Sequence, residues 1–178
     1  MTTLTEIIIN LAESNAEVVF FGKDTDFALK QKDIFKLVRG NAELFSASGV
    51  KPRDRVLIRM HNDLESIVSF LALILIGAIP MSVKPGNIAD KLYREYIDRI
   101  VDGFDVSYIY GEEPLTSYPT RILTCRPTAM GTDASVEWMP SPEQIAFVQF
   151  SSGSTSEPKP IAISHGAVCN NLRAILTV

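Results

Sequence analysis

The residues best suited to chemistry lie in one run, Phe150-Ser151-Ser152-Gly153-Ser154-Thr155-Ser156-Glu157-Pro158-Lys159, which follows an apolar stretch. Backbone N–H groups and Ser/Thr hydroxyls in such a loop can bind phosphate oxygens, and Gly153 allows close backbone approach. Lys159 adds a mobile point charge. The run is not a Walker A loop, because no Gly-Lys-Ser/Thr closes it and no helix follows a lysine directly. A polar surface loop with a solvated Lys159 is the alternative that composition alone leaves open.

Other reactive residue types have plainer readings. His165 sits beside Ser164 at a predicted helix start and suits helix-end packing better than catalysis. His61 follows a strand with no Cys or acid at ligand spacing. Cys169, between Val168 and Leu172, reads as a small core residue, and Glu112-Glu113 as a solvated turn. Trp138, beside Met139 and Pro140, fits either a sheet-edge packing role or an exposed contact.

The elements that must position the loop can be read from periodicity. Leu4, Ile7, Ile8 and Leu11 predict a helix over 4–14, and the turn-rich connector 22–25 predicts a hairpin between 17–21 and 26–30. A longer amphipathic helix carries Ile34, Leu37, Val38, Ala42 and Phe45 on one face and ends near Gly49. The turn 51–54 leads into a strand over 56–60. A buried helix over 63–76 and a core strand over 79–83 follow, then a helix with Leu92, Tyr96, Ile97 and Ile100 inward and the charges of 90–102 outward.

Strands are predicted over 106–110, 121–124 and 144–150, with 111–120 a loop and the Pro/Ser/Thr-rich stretch after 124 a connector. The run 151–160 is expected to be an exposed loop. A short strand over 161–163 and a last helix capped by Ser164 complete the chain. Strand and helix patterns alternate from residue 54, which argues for an α/β fold, a largely parallel sheet flanked by helices. The last helix keeps apolar residues (Leu172, Ile175, Leu176) up to Val178 without a capping residue. That pattern favours a fragment over a helix docked into the core.

The 178 residues include 46% apolar side chains and carry a formal net charge of −4. That is enough for one folded domain and excludes a wholly disordered chain. No basic cluster marks a nucleic-acid binder. Two cysteines, Cys125 and Cys169, are too few for a disulfide scaffold. The stretch from Ser66 to Val83 has 18 residues without a charge, but Gly77 and Pro80 interrupt it, so no transmembrane segment is expected. With no signal peptide visible at the start, the expected location is the cytoplasm.

At Ser151, Ser152, Gly153, Ser154, Thr155, Pro158 and Lys159 the sequence resembles the phosphate-loop signature of the adenylate-forming (AMP-binding) enzymes. These include acyl-CoA synthetases, fatty acyl-AMP ligases and nonribosomal peptide adenylation domains. Ile161-Ala162-Ile163-Ser164-His165 and Asn171-Leu172 look like the strand and helix that trail the motif. Residues 49–56 and 73–80 resemble earlier family segments in the right order. Three positions depart from the signature: Ser156 and Pro160 stand where it has Gly, and Glu157 where it often has Lys. The non-Gly at 156 and the spelling of 149–155 are closest to fatty acyl-AMP ligases.

The resemblance implies that Ser152, Gly153, Ser154, Thr155 and Lys159, with Ser151, hold the phosphates of Mg-ATP while a carboxylic acid is converted to an acyl-adenylate. The acyl group would then pass to a thiol of coenzyme A or an acyl carrier protein. The family's adenine, ribose, hinge and lysine segments are not found. Residues 1–178 are therefore expected to be an N-terminal part of such an adenylation domain, without catalysis of their own. A non-catalytic scaffold with a degenerate phosphate loop, or an unrelated small α/β nucleotide-binding protein, are the rival expectations.

Overall fold

A computed structural model of the chain describes residues 2–21, 26–87, 89–111, 121–123, 138–151 and 157–176, with 121–123 and Ser151 described as backbone. The connectors predicted over 22–25, 112–120 and 124–137, including Glu112, Glu113 and Cys125, lie outside them. The first helix, α1 (Leu4–Asn10), starts with a reciprocal capping box between Thr3 and Glu6 and ends in a 3-10 turn over Leu11–Glu13. Strands β1 (Glu17–Phe20) and β2 (Phe27–Lys30) pair antiparallel as a separate two-stranded sheet, with Phe20 and Phe27 stacked. Helix α2 (Gln31–Ala47) buries Ile34, Phe35, Val38, Ala42 and Phe45. Gly49 ends that segment in the left-handed region at φ 93°.

The central sheet begins with β3 (Arg55–Arg59), followed by α3 (Leu64–Leu75), β4 (Ile79–Val83) and α4 (Lys91–Gly103). Next come β5 (Tyr108–Tyr110), β6 (Arg121–Leu123), β7 (Ile145–Ser151), β8 (Lys159–Ser164) and α5 (His165–Leu176). The strand order is β6-β5-β3-β4-β7-β8. The first five strands of that order run parallel; β8 is antiparallel to β7. Both faces of the sheet are covered at β3 and β5, so those strands are buried along their length, whereas Gln149 of β7 and most of β8 are exposed. Val56, Ile58, Tyr108 and Tyr110 pack with α1, α2 and α3, while Leu57, Met81, Val83, Ile109, Val148 and Phe150 pack with α4.

The stretch from Ser66 to Val83 folds as α3, a turn and β4, and no helix among the described residues is long and apolar enough to cross a membrane. Pro80 is tolerated in a central strand because the β4–β7 ladder starts one residue later, at Met81↔Val148. Gly77 makes the turn at φ 79°, and Trp138 lies directly against it. Trp138 thus packs at the start of β4.

Three expectations need correction. Leu92 is 73% exposed, not inward. The buried stripe of α4 is Ile97, Ile100 and Val101, and Tyr93, not Leu92, continues it toward the first turn. The loop expected over 151–160 is shorter, because Ser151 ends β7 and Lys159 and Pro160 already belong to β8. The short strand expected over 161–163 is accordingly six residues long. On α5, Ile175 and Leu176 are 64% and 83% exposed, so its last turn is not docked in a core.

Candidate functional site

The parallel strands β3, β4, β5 and β7 all end at one edge of the sheet. Each run of apolar residues stops there at a polar or small residue: Arg59, Lys84 just after Val83, Gly111 just after Tyr110, and Ser151. Helix α3, leaving β3, covers one face of the sheet, and α4, leaving β4, covers the other. The connections of these neighbouring strands therefore diverge, which makes their carboxyl ends a topological switch point, where open α/β sheets bind ligands.

The residues singled out for phosphate binding begin at this edge. Ser151 is the last residue of β7 and Lys159 the first of β8; they are opposite each other in the antiparallel ladder. The backbone pairing thus clamps the two ends of the intervening segment, and Lys159 is exposed to solvent. Ser152, Gly153, Ser154 and Thr155 lie outside the described residues. Glu157 is exposed two residues before Lys159, and Pro160 sits in the strand opposite Phe150.

Neighbouring polar contacts stiffen the edge. Asp63 caps α3 by accepting from the Ser66 N–H at 2.8 Å, and the Ser66 hydroxyl oxygen accepts from the His61 N–H at 3.2 Å. The Tyr110 hydroxyl donates to Glu65 at 2.9 Å. Tyr93 packs on Gly86 and donates its hydroxyl proton to the Lys84 carbonyl at 3.0 Å. Burial pushes the Tyr93 and Tyr96 phenols above their ordinary range. Both therefore stay protonated at neutral pH, and Tyr93 remains a donor.

The two histidines play no part in a cluster. His61 is exposed, and among the described residues no group of three or more His, Cys, Asp or Glu could hold a metal ion. These residues therefore assign no ligand to the Mg2+ expected with ATP. His165 is buried at the far end of β8, where its backbone N–H donates to the Gln144 carbonyl at 3.0 Å. Burial lowers its imidazole pKa. Ser164 caps α5 through the Ala167 N–H at 3.2 Å, as expected from the sequence. Cys169 is buried and its thiol pKa is raised by that burial.

Sequence reasoning located the Ser151 and Lys159 ends of the loop but not the residues of the adjoining strands. Lys84 and Arg59 belong to the same edge only through strand order. The sequence signal was weak, a basic residue closing an apolar run.

Comparison with known proteins agrees with this fold. A family model described as AMP-binding enzyme matches residues 12–178. A 3-aminoavenalumate diazotase from a Streptomyces species is 33% identical over 75% of this chain and 24% of its own length. A 4-chlorobenzoate–CoA ligase from an Arthrobacter species is 28% identical over 85% of this chain and 31% of its own. Among solved structures, a fatty acyl-adenylate ligase from L. pneumophila in complex with acyl adenylate and pyrophosphate superposes with a TM-score of 0.80. It is 23% identical, and the match covers 98% of this chain and 32% of that one. The Klebsiella oxytoca NpsA N-terminal subdomain gives a TM-score of 0.72 at 17% identity, covering 93% of this chain and 41% of that one. This chain thus spans about a quarter to two-fifths of the length of these four relatives. With the family model matched over nearly its whole length and the same fold in those neighbours, the chain belongs to the AMP-binding enzyme family.

Proposed function

We propose that residues 1–178 form the phosphate-binding N-terminal part of an enzyme that activates a carboxylic acid with ATP. A carboxylate oxygen attacks the α-phosphorus, the bond to the β-phosphate bridging oxygen breaks, and pyrophosphate leaves. The acyl-adenylate then gives its acyl group to a thiol, of coenzyme A or a carrier protein, and releases AMP. In this reading the segment from Ser151 to Lys159, with Ser152, Gly153, Ser154 and Thr155, receives the β- and γ-phosphates. Its service is positioning and charge stabilisation as the leaving group develops.

The observation that carries the reading is the paired Ser151 and Lys159 at the switch-point edge, at the two ends of a Gly/Ser/Thr segment. A fatty acid is the preferred substrate class, on the spelling of residues 149–155. Adenine, ribose and acid contacts would come from residues outside 1–178, and the reaction would take place in the cytoplasm.

The test is ATP–pyrophosphate exchange over a panel of fatty, aryl and amino acids, run on this chain and on any longer product of its reading frame. The expected result is exchange, best with fatty acids, in a longer product and none with the 178 residues by themselves. No exchange with any acid by a folded longer product overturns the enzyme reading. Lys159→Ala should raise the ATP KM there; unchanged ATP kinetics would remove Lys159 from the site. Removing one well-placed donor to developing charge costs about 2.7–4 kcal/mol, and an exposed lysine should fall below that range.

A further inference from the structure

The strand register brings a second cation to the phosphate end of the sheet. In the β4–β7 ladder Met81 is opposite Val148 and Ser82 opposite Gln149. Continuing that parallel register two residues places Lys84 beside Ser151. On the other side of β7, Lys159 is already opposite Ser151. On that extension the β7 terminus lies between two lysine positions, Lys159 in the β8 ladder and Lys84 one residue past the end of β4.

Cross-strand positions at one level share a face of the pleat, so with the register extended to Lys84 it falls on the face of Lys159. That face is open here. Gln149 is exposed, and so is Ile161, which pairs with it. Two strand spacings of about 4.8 Å put the two lysine positions about 10 Å apart, so flexible four-carbon stems from both sides can converge on one anion.

Two other described cations lie near this edge. Arg59 lies on the α4 face, with its guanidinium beside Gly111, and Lys91 pairs with Glu95 at 3.6 Å. Lys84 is exposed and forms no ion pair among the described residues. Its backbone is nevertheless held in place. The Tyr93 hydroxyl binds its carbonyl, and Pro85 follows it directly. Lys84 also follows β4, one of the two strands of the switch point, where the fold leaves room for a ligand.

We propose that Lys84 is a second phosphate-binding residue of this site, meeting Lys159 on the same phosphate from the opposite side of the β7 terminus. The proposal rests on the phosphate reading given above. Its chemical role is to offset Glu157, whose negative charge precedes Lys159 and works against anion binding. The ligand class is a polyphosphate, either the β,γ portion of ATP or free pyrophosphate.

The experiment is a titration of the 178-residue chain with inorganic pyrophosphate, followed by amide chemical shifts and by calorimetry at low salt. Four variants accompany the wild type: Lys84→Ala, Lys84→Arg, Lys159→Ala and, as a charge control at the opposite edge of the sheet, Lys51→Ala. Lys84→Ala should weaken pyrophosphate binding roughly five- to tenfold, of the order expected for losing one charge-assisted contact at a partly screened site. Lys84→Arg should retain most of the affinity and Lys51→Ala all of it. The Lys84 and Ser151 amides should shift together on titration in the wild type.

Wild-type binding with Lys84→Ala unchanged overturns this assignment and leaves the phosphate reading standing. An equal loss in Lys51→Ala also overturns it, since the effect would then be net charge alone. A folded wild-type chain that binds no pyrophosphate overturns both.

Discussion

The contact between Gly77 and Trp138 gives a sharp test of how β4 is held in the sheet. A Cβ added at Gly77 would run into the indole ring, and φ of 79° is a conformation that L side chains enter at a cost. The left-handed conformation costs an alanine about 1–2 kcal/mol, and displacing a packed ring adds about 1–3 kcal/mol. Gly77→Ala should therefore destabilise the chain by about 2–5 kcal/mol. The two contributions separate in a double-mutant cycle. In a Trp138→Ala background the steric part vanishes, so the same substitution should cost only about 1–2 kcal/mol. Urea unfolding by circular dichroism measures all four proteins. Trp138 is the single tryptophan, so its emission should shift to the red in Gly77→Ala as the ring is pushed into water. A loss under about 0.5 kcal/mol, within the range of an ordinary surface substitution, together with unchanged emission would refute the packing argument. Equal losses in both backgrounds would leave only the backbone part standing.

Two further outcomes test the supports of the site and the core. Asp63→Ala removes the side chain that caps α3 at 2.8 Å and should cost about 1 kcal/mol in urea unfolding, with Asp63→Asn recovering most of it; an unchanged midpoint would discount the cap. His165 is buried with a lowered pKa, so the unfolded chain takes up its proton first as pH falls. Its contribution to stability is thus complete above the ordinary value of 6.5 and is lost as pH drops below it, with a slope of at most about 1.4 kcal/mol per pH unit. His165→Gln should flatten urea midpoints between pH 7.5 and 5, and an unaltered slope would show that this imidazole is not the titrating group.

Much of the fold was legible because its signals are local. The apolar stripe of α2, the Ser164 cap and the Gly77 turn all act within a few residues of where they are read. The 18-residue uncharged stretch was divided correctly because a proline and a glycine interrupt helix within one turn. Leu92 was misplaced because helical spacing alone does not tell which turn of a helix overhangs the sheet. Its first turn lies beyond the layer that buries Ile97, Ile100 and Val101.

The sequence by itself determined the element order, the alternation that makes an α/β sheet, and a phosphate-loop pattern placed directly after an apolar strand. Those properties are set by side-chain periodicity and by short-range backbone preferences. Only the tertiary structure decided that Ser151 and Lys159 are paired, that β8 returns antiparallel, and that Lys84, 67 residues upstream of Ser151, follows the neighbouring strand. Strand order and register arise from burying both faces of the sheet at once, between α4 on one side and α1, α2 and α3 on the other. No local pattern encodes which strand ends become neighbours, and that neighbourhood brings the end of β4, with Lys84 after it, to the same edge as Ser151 and Lys159.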